Sequence, residues 1–293
     1  MSYDLTMDID IGRSALQHIY DRLWIKRDDL IDPIIGGNKF RKLKYNIKSA
    51  KAAGKDTLLT FGGAYSNHIL ATARVGQMHN MATIGIIRGN AENGLSPALI
   101  KAQDMGMALH FIAREDYKHK ENADHLTALQ SKHPSAHIIP EGGTNADALK
   151  GVSEIKNEMP DDIDVIATAC GSGGTLAGLI TAYADREDIT LLGFSVLKGD
   201  DQLTPTIQNI LDHSDIKPRC RWQVITGYHF GGYAKAPPAL KAYIKDFQTQ
   251  HNIPLDYVYT AKMMFGLETW LKEYPDIKKA IALHTGGLFT AGL

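Results

Sequence analysis

Cysteine is nearly absent. The 293 residues hold two, Cys170 and Cys220, far apart and with no CxxC or CxxH pattern around either. That argues against a disulfide framework or a structural zinc site, and it fits a reducing compartment such as the cytoplasm. Net charge is missing too. Lys and Arg number 32 and Asp and Glu 33, leaving −1, so no overall field draws the chain to nucleic acid or to an anionic membrane. No apolar run approaches the ~18 residues of a membrane span. The opening segment, MSYDLTMDIDIGRS, lacks a basic end followed by an apolar core and is not expected to be a secretory signal. Internal repeats, low-complexity stretches and Pro/Ser linkers are also absent.

What remains is an ordinary globular mixture, 44 % hydrophobic and 22 % charged, which excludes a disordered chain. The length suits one large or two ordinary domains. Short runs rich in Val, Ile, Leu and Ala predict buried strands at Thr57–Phe61, Ala82–Ile87, Ala108–Ile112, Ala136–Ile139, Asp164–Ala169, Thr190–Ser195 and Lys279–His284. Helix-length stretches lie between them: Asn67–Met78, Pro97–Met105, Ala123–Lys132, Ala146–Asn157, Thr175–Ala184 and Thr204–Asp212. This alternation predicts an α/β fold of parallel sheets covered by helices. Residues 199–256 read as loops around a few helical pieces. With no linker, two lobes would have to be made by the chain crossing between them.

Glycine-rich turns mark four strand-to-helix junctions: GGAYSNH (62–68), EGGTN (141–145), GSGGT (171–175) and HTGG (284–287). In open parallel sheets, ligands gather beyond the carboxyl ends of strands, where such turns lie. Each alone is also what a tight turn requires. In WIKRDDLIDPIIGGNKFRKLKYN (24–46), Lys39 follows Gly36, Gly37 and Asn38 and opens a helical pattern. Cations there oppose the helix macrodipole, so a run of Lys39, Arg41 and Lys42 is unusual. Lys39 reads either as a surface lysine or as an amine placed for Schiff-base chemistry.

In GSGGT, the backbone N–H groups of Gly171, Ser172, Gly173, Gly174 and Thr175 can surround a phosphate at a helix N-terminus. No GK[ST] follows, and no acidic residue ends the next strand. A phosphorylated cofactor smaller than a nucleotide therefore remains open beside a plain tight turn. In GGAYSNH, Ser66, Asn67 and His68 offer hydroxyl, amide and imidazole groups to an anion, unless Ser66 is simply an N-cap. Tyr233 (HFGGYAK), Tyr259 and Thr260 (DYVYTAK), and Thr285 (ALHTGG) complete the set.

Taken in order, RDDL–GGNKFRKL, GGAYSNH, GSGGTLAGL, VYTAK and HTGG resemble the 1-aminocyclopropane-1-carboxylate deaminase and D-cysteine desulfhydrase family, among the tryptophan-synthase-β-like pyridoxal-phosphate enzymes. The resemblance runs from Ile25 to Gly287. It implies a two-lobed parallel-sheet fold of the tryptophan synthase β-subunit type, with a small domain over 41–151 and a large cofactor domain made of 1–40 and 152–293. It also implies a homodimer and a small amino-acid substrate. The chain is short for that family, so little is expected to follow HTGG that could close a sheet.

By the same resemblance, Lys39 would bind pyridoxal 5'-phosphate covalently and then serve as acid and base. Residues Gly171, Ser172, Gly173, Gly174 and Thr175 would hold the phosphate. Asn67 would reach the ring hydroxyl, and Ser66, Asn67 and His68 would face the substrate carboxylate, with Tyr65 beside them. Tyr233 and Tyr259 would sit over the reacting carbons, Ser66 or a tyrosine would assist ring opening as nucleophile or acid, and Thr260 and Thr285 would lie near the pyridine nitrogen or the cofactor edge. No metal is implied.

Family deaminases carry Glu where this chain has Thr260. A hydroxyl there makes a weaker electron sink than a carboxylate. The sequence therefore predicts D-cysteine desulfhydrase-like elimination to pyruvate, ammonia and sulfide. Aminocyclopropane-carboxylate deamination and a catalytically silent cofactor-binding protein are the alternatives. Tyr65 replaces the family's usual Gln, Ala261 its Gly, and GGYAK its GYG-like stretch.

Overall fold

A computed structural model describes Gly12 and residues 14–199 and 202–288. Most of the opening segment, and the residues after Leu288, lie outside these. The described strands are β1 (Leu16–Tyr20), β2 (Leu23–Lys26), β3 (Thr57–Gly62), β4 (Ala82–Arg88), β5 (Met107–Ile112), β6 (Ala136–Ile139), β7 (Val165–Cys170), β8 (Thr190–Ser195), β9 (Arg221–Ile225) and β10 (Ala280–Leu283). The helices are α1 (Gly37–Ala52), α2 (Asn67–His79), α3 (Pro97–Asp104), α4 (Arg114–Tyr117), α5 (Ala123–Lys132), α6 (Ala146–Ser153), α7 (Gly174–Ala182), α8 (Leu203–His213), α9 (Pro238–His251) and α10 (Thr260–Glu273).

Two sheets result. One has the order β5-β4-β3-β6 and is parallel throughout. The other has the order β1-β2-β10-β7-β8-β9; only its β1–β2 pair is antiparallel. The fold is α/β with largely parallel sheets, as the alternation predicts, and of the tryptophan-synthase-β-like type that the resemblance implies. β10 sits inside its sheet, between β2 and β7, so the last described strand is a central one and no strand after it is needed to complete the order.

Five of the seven apolar runs became central strands, with both faces covered; the other two, β5 and β6, form the edges of the four-stranded sheet. All six residues of β3 and of β7 are buried. One face of the six-stranded sheet packs Leu23, Val165 and Phe194 against Leu240 and Phe247 of α9 and Met264 and Leu267 of α10. The other packs Ile166, Leu191 and Ile281 against Leu149 and Val152 of α6, Leu176 and Ile180 of α7, and Ile207 of α8. In the four-stranded sheet, Leu58 and Ile139 meet Phe40, Leu43 and Ile47 of α1 and Val75 of α2. Ile87 and Met107 meet Ile69 of α2 and Leu99 of α3.

Helices α1 and α6 join the two layers. Gly151 of α6 lies so close to α1 that an added Cβ would stand 1.9 Å from the Arg41 carbonyl oxygen. Neither backbone can yield without separating the helices. Gly151→Ala is therefore expected to destabilise by roughly 3 kcal/mol, the upper end of ordinary overpacking. A lowered urea midpoint would register it, and an unchanged midpoint would contradict the close approach.

Candidate active site

The carboxyl ends of β3, β4, β6, β7 and β10 open on one cleft of about 710 Å³. All four glycine-rich turns contribute to its lining: Gly63 to His68, Glu141 and Gly142, Gly171 to Thr175, and Thr285 to Gly287. Lys39, Tyr65, Tyr233 and Tyr259 also line it. Thus every residue picked out from the sequence reaches this cleft except one. Thr260 is fully buried behind the wall. Its hydroxyl donates to Asp256 Oδ2 at 2.6 Å and accepts from the Asp256 N–H at 2.9 Å. The sequence places it at the cofactor edge; the structure places it one layer back, because Asp256 turns it inward to close the first turn of α10.

Lys39 stands at the start of α1, where two glycine turns meet backbone to backbone. Gly36 (φ 67°) and Gly286 (φ 87°) pack so closely that a Cβ on Gly286 would lie 2.8 Å from the Gly36 Cα. The Gly37 N–H donates to the Thr285 carbonyl at 3.1 Å. Only glycine combines that φ with that approach. The contact fixes Lys39 against the end of β10.

From there the Lys39 amine donates to the Gly142 carbonyl at 3.0 Å, and Lys42, one turn on, donates to the same oxygen at 3.1 Å. Burial pushes the Lys39 amine down to about 8, against a weaker opposing pull from Glu141. Lys42 is driven further down by burial and then by the charge of Lys39. Two ammonium groups cannot share one carbonyl cheaply, so the pair readily gives up a proton, Lys42 before Lys39.

The GSGGT loop starts α7 with Gly173 at φ 78°. Around it converge the Thr144 hydroxyl, 3.2 Å from the Ser172 hydroxyl, and Lys42, 3.2 Å from Thr144 Oγ1. A Cβ on Gly174 would collide with both Thr144 Oγ1 (2.2 Å) and Lys42 Nζ (2.7 Å). Asn38 donates to Thr175 Oγ1 at 3.2 Å. Backbone N–H groups, hydroxyls and an amine at a helix N-terminus could hold a phosphate. With a lysine amine beside them, these residues fit a phosphorylated aldehyde. Lys42 and Thr144 were not singled out by the sequence. The signal for Lys42 was its odd place in the first turns of a helix; for Thr144 it was the EGGTN turn.

The remaining side chains divide by chemistry. Ser66 caps α2 and also lines the cleft; its hydroxyl accepts from the Ile69 N–H at 3.3 Å. Asn67 reaches towards the HTGG turn, where a Cβ on Gly287 would be 3.1 Å from its Nδ2. His68 is buried, its Nε2 is 2.9 Å from Thr60 Oγ1, and burial followed by the charges of Lys39 and Lys42 holds it neutral. It therefore offers a substrate carboxylate no charge. Tyr65 is 55 % exposed at the rim. The Tyr233 and Tyr259 rings meet edge to face, 6.1 Å apart. Burial raises both phenols, so each keeps its proton at neutral pH.

The loop bearing Tyr233 turns through positive φ at Phe230, Gly231, Gly232 and Ala234. It is tied down by buried Lys262 of α10, which donates to the Gly232 carbonyl at 2.8 Å. Burial lowers the Lys262 amine to about 8.

A model of the pyridoxal-phosphate-dependent enzyme family matches residues 11–286. The chain belongs to that family. This pyridoxal-phosphate-dependent enzyme is 31 % identical to the mitochondrial bifunctional D-cysteine desulfhydrase/1-aminocyclopropane-1-carboxylate deaminase of Arabidopsis thaliana, over 91 % of this chain and 72 % of that one. It is 30 % identical to a putative 1-aminocyclopropane-1-carboxylate deaminase of Pyrococcus horikoshii, over 91 % and 84 %. A solved structure of an ACC deaminase homologue superposes with a TM-score of 0.81 at 28 % identity, covering 94 % of this chain and 90 % of that one. It is thus a pyridoxal-phosphate-dependent lyase of the deaminase and desulfhydrase group. When bound, the cofactor supplies an electron sink; the protein supplies orientation and proton positions. Among the described residues, no cluster of three or more His, Cys, Asp or Glu could hold a metal, and no helix is long and apolar enough to cross a membrane.

The enzyme's buried lysines also set a pH dependence. In the unfolded chain Lys39 and Lys262 keep their protons to about 10.4, but folded they release them near 8. Between these values the unfolded state binds more protons, so stability rises with pH. Above about 10 the buried tyrosines act oppositely, because the unfolded phenols ionise first. The cofactor-free protein is therefore expected to gain stability from pH 8 to about 9.5, and Lys39→Ala to flatten the rise. Urea titrations at stepped pH would measure it.

Proposed function

We propose that this enzyme converts a small α-amino acid to a 2-oxo acid and ammonia, with 1-aminocyclopropane-1-carboxylate as its favoured substrate. The observation that carries the choice is the Asp256 carboxylate behind Thr260. Read from the sequence, the lack of Glu at position 260 argued for elimination from D-cysteine. In the fold a buried carboxylate, Asp256, lies behind Thr260. Asp256 Oδ2 holds the Thr260 hydroxyl at 2.6 Å and would lie 3.7 Å from a Cβ on Gly287, a residue of the cleft wall. An anion so placed favours positive charge on the cleft side of that wall. The names of the relatives above support the same reading.

In this proposal Lys39 holds the cofactor and moves protons as a neutral amine. Residues Gly171 to Thr175 hold the phosphate, Asn67 the ring hydroxyl, and Thr285 the cofactor edge. The start of α2, Ser66 to His68, takes the substrate carboxylate, with Tyr65 at the rim. Tyr233 and Tyr259 donate protons, and Ser66 assists ring opening. The lobes 41–151 and 1–40 with 152–293, a homodimer and a cytoplasmic location belong to the same proposal.

The second reading is D-cysteine desulfhydrase, favoured by Thr260 itself. Holoenzyme given each substrate should release 2-oxobutyrate from 1-aminocyclopropane-1-carboxylate faster than pyruvate from D-cysteine. The reverse order supports the second reading. No oxo acid from either, with cofactor bound, supports a silent cofactor-binding protein.

A further inference from the structure

Two arginines in the cleft have no partner in the chemistry above. Arg88 ends β4, and Arg114 opens α4 just after the adjoining strand β5. Both line the cleft. Both are exposed, and among the described residues no ion pair or side-chain hydrogen bond to another residue holds either of them. The two acids on the same wall are already matched: Lys120 lies 3.2 Å from Glu141 and 3.8 Å from Glu121. The Arg88 guanidinium is held in place, 5.5 Å over the ring of buried Tyr117. It also reaches the GGAYSNH turn, where a Cβ on Gly63 would stand 3.4 Å from Nη2. A planar fork of N–H donors, oriented by stacking and left without acceptors, matches a bidentate anion.

The α-carboxylate is assigned to the start of α2, next to that turn. We infer that Arg88, seconded by Arg114, forms an anion subsite, and that the enzyme binds amino acids with a second negative group on the side chain more tightly than their neutral isosteres. This goes beyond the proposed substrate but rests on the same reading, that the cleft takes cofactor and amino acid together.

The test is calorimetric titration of holoenzyme with D- and L-aspartate against D- and L-asparagine, with 1-aminocyclopropane-1-carboxylate and D-cysteine as controls. In at least one enantiomeric pair, aspartate should bind about tenfold or more tightly, as a charge-assisted pair implies. High salt should shrink that ratio. Arg88→Gln should bring it towards one, while Arg88→Lys keeps part of it and confirms that the site folds. A ratio near one in the unaltered enzyme overturns the inference. So does a ratio that survives Arg88→Gln, which would mean that Arg88 serves the α-carboxylate or nothing. If the controls bind and aspartate does not, only the subsite falls. If no amino acid binds, the reading of the cleft falls with it.

Discussion

Lys39→Ala is expected to remove turnover, by roughly 10⁴-fold or more, without unfolding the protein. The Lys39 and Lys42 amines both line the cleft and both have a lowered proton affinity; Lys39 is the one that the GGNK motif and the contact of its helix start with the HTGG turn single out. Its removal deletes the only group the proposal gives for covalent attachment. The fold should tolerate the loss, since Gly142 keeps Lys42 as a donor and one costly buried amine disappears. Absorbance of the lysine-bound cofactor should vanish from the purified variant while its circular dichroism stays unchanged. Lys39→Arg should be equally inactive, because guanidinium does not release its proton in proteins. A variant that retains both colour and turnover would move the attachment point to Lys42 and undo the assignment.

Asp28→Ala should be the most destabilising of the substitutions considered. Asp28 is fully buried between two cations. It accepts from Arg41 at 2.7 and 2.9 Å and from the Ser14 hydroxyl at 2.5 Å, with Lys26 Nζ at 3.5 Å. Glu158 closes the cluster, taking Arg41 at 2.6 Å and Lys26 at 2.8 Å. Burial alone would push the Asp28 carboxyl up, but the charge and hydrogen bonds of Arg41, then Lys26, outweigh it and hold it below the usual range. Without Asp28 two buried cations share one acid. Removing one member of such a cluster costs about 3–5 kcal/mol, which lowers an apparent Tm by roughly 10 °C. Because the folded carboxyl is the stronger acid, its contribution is complete at neutral pH and fades as pH falls through that lowered value. Thermal unfolding at pH 7 and at about pH 2 would test both parts. A shift below about 1 kcal/mol would mean that the cluster is solvated and loose.

The same cluster explains what the sequence could and could not convey. Strands buried on both faces, such as VIATAC at β7, were legible because their runs are continuous. β1 (LQHIY) and β9 (RWQVI) were not, since they lie at the edges of their sheet and alternate partly exposed with open positions. Helix α10 was hidden by a motif, as its first residues are those of VYTAK. The turns of the cleft were legible because glycine marks them.

Lys42 meeting Gly142, 100 residues away, and Arg88 over the Gly63 turn depend on how distant segments stack, and no local pattern reports that. Asp256 was within reach. Its carboxylate accepts from the N–H groups of Val258, Tyr259 and Thr260, the local mark of an aspartate that opens a helix. The D-cysteine preference drawn from Thr260 weighed one side chain without the carboxylate four residues before it.

The contact of Gly36 with Gly286 bears on the order of synthesis. A ribosome releases the four-stranded sheet, residues 57–139, as one contiguous piece that can pair its strands early. Lys39 emerges sooner still, but the turn that seats it comes with β10, near the far end of the chain. β2 must likewise wait for β10, and Arg22 caps carbonyls some 252 residues downstream. Lys39 therefore stays unseated until β10 and the turn after it have been made, and the cleft becomes competent only once residues through Gly287 are free to fold back onto β2 and the start of α1.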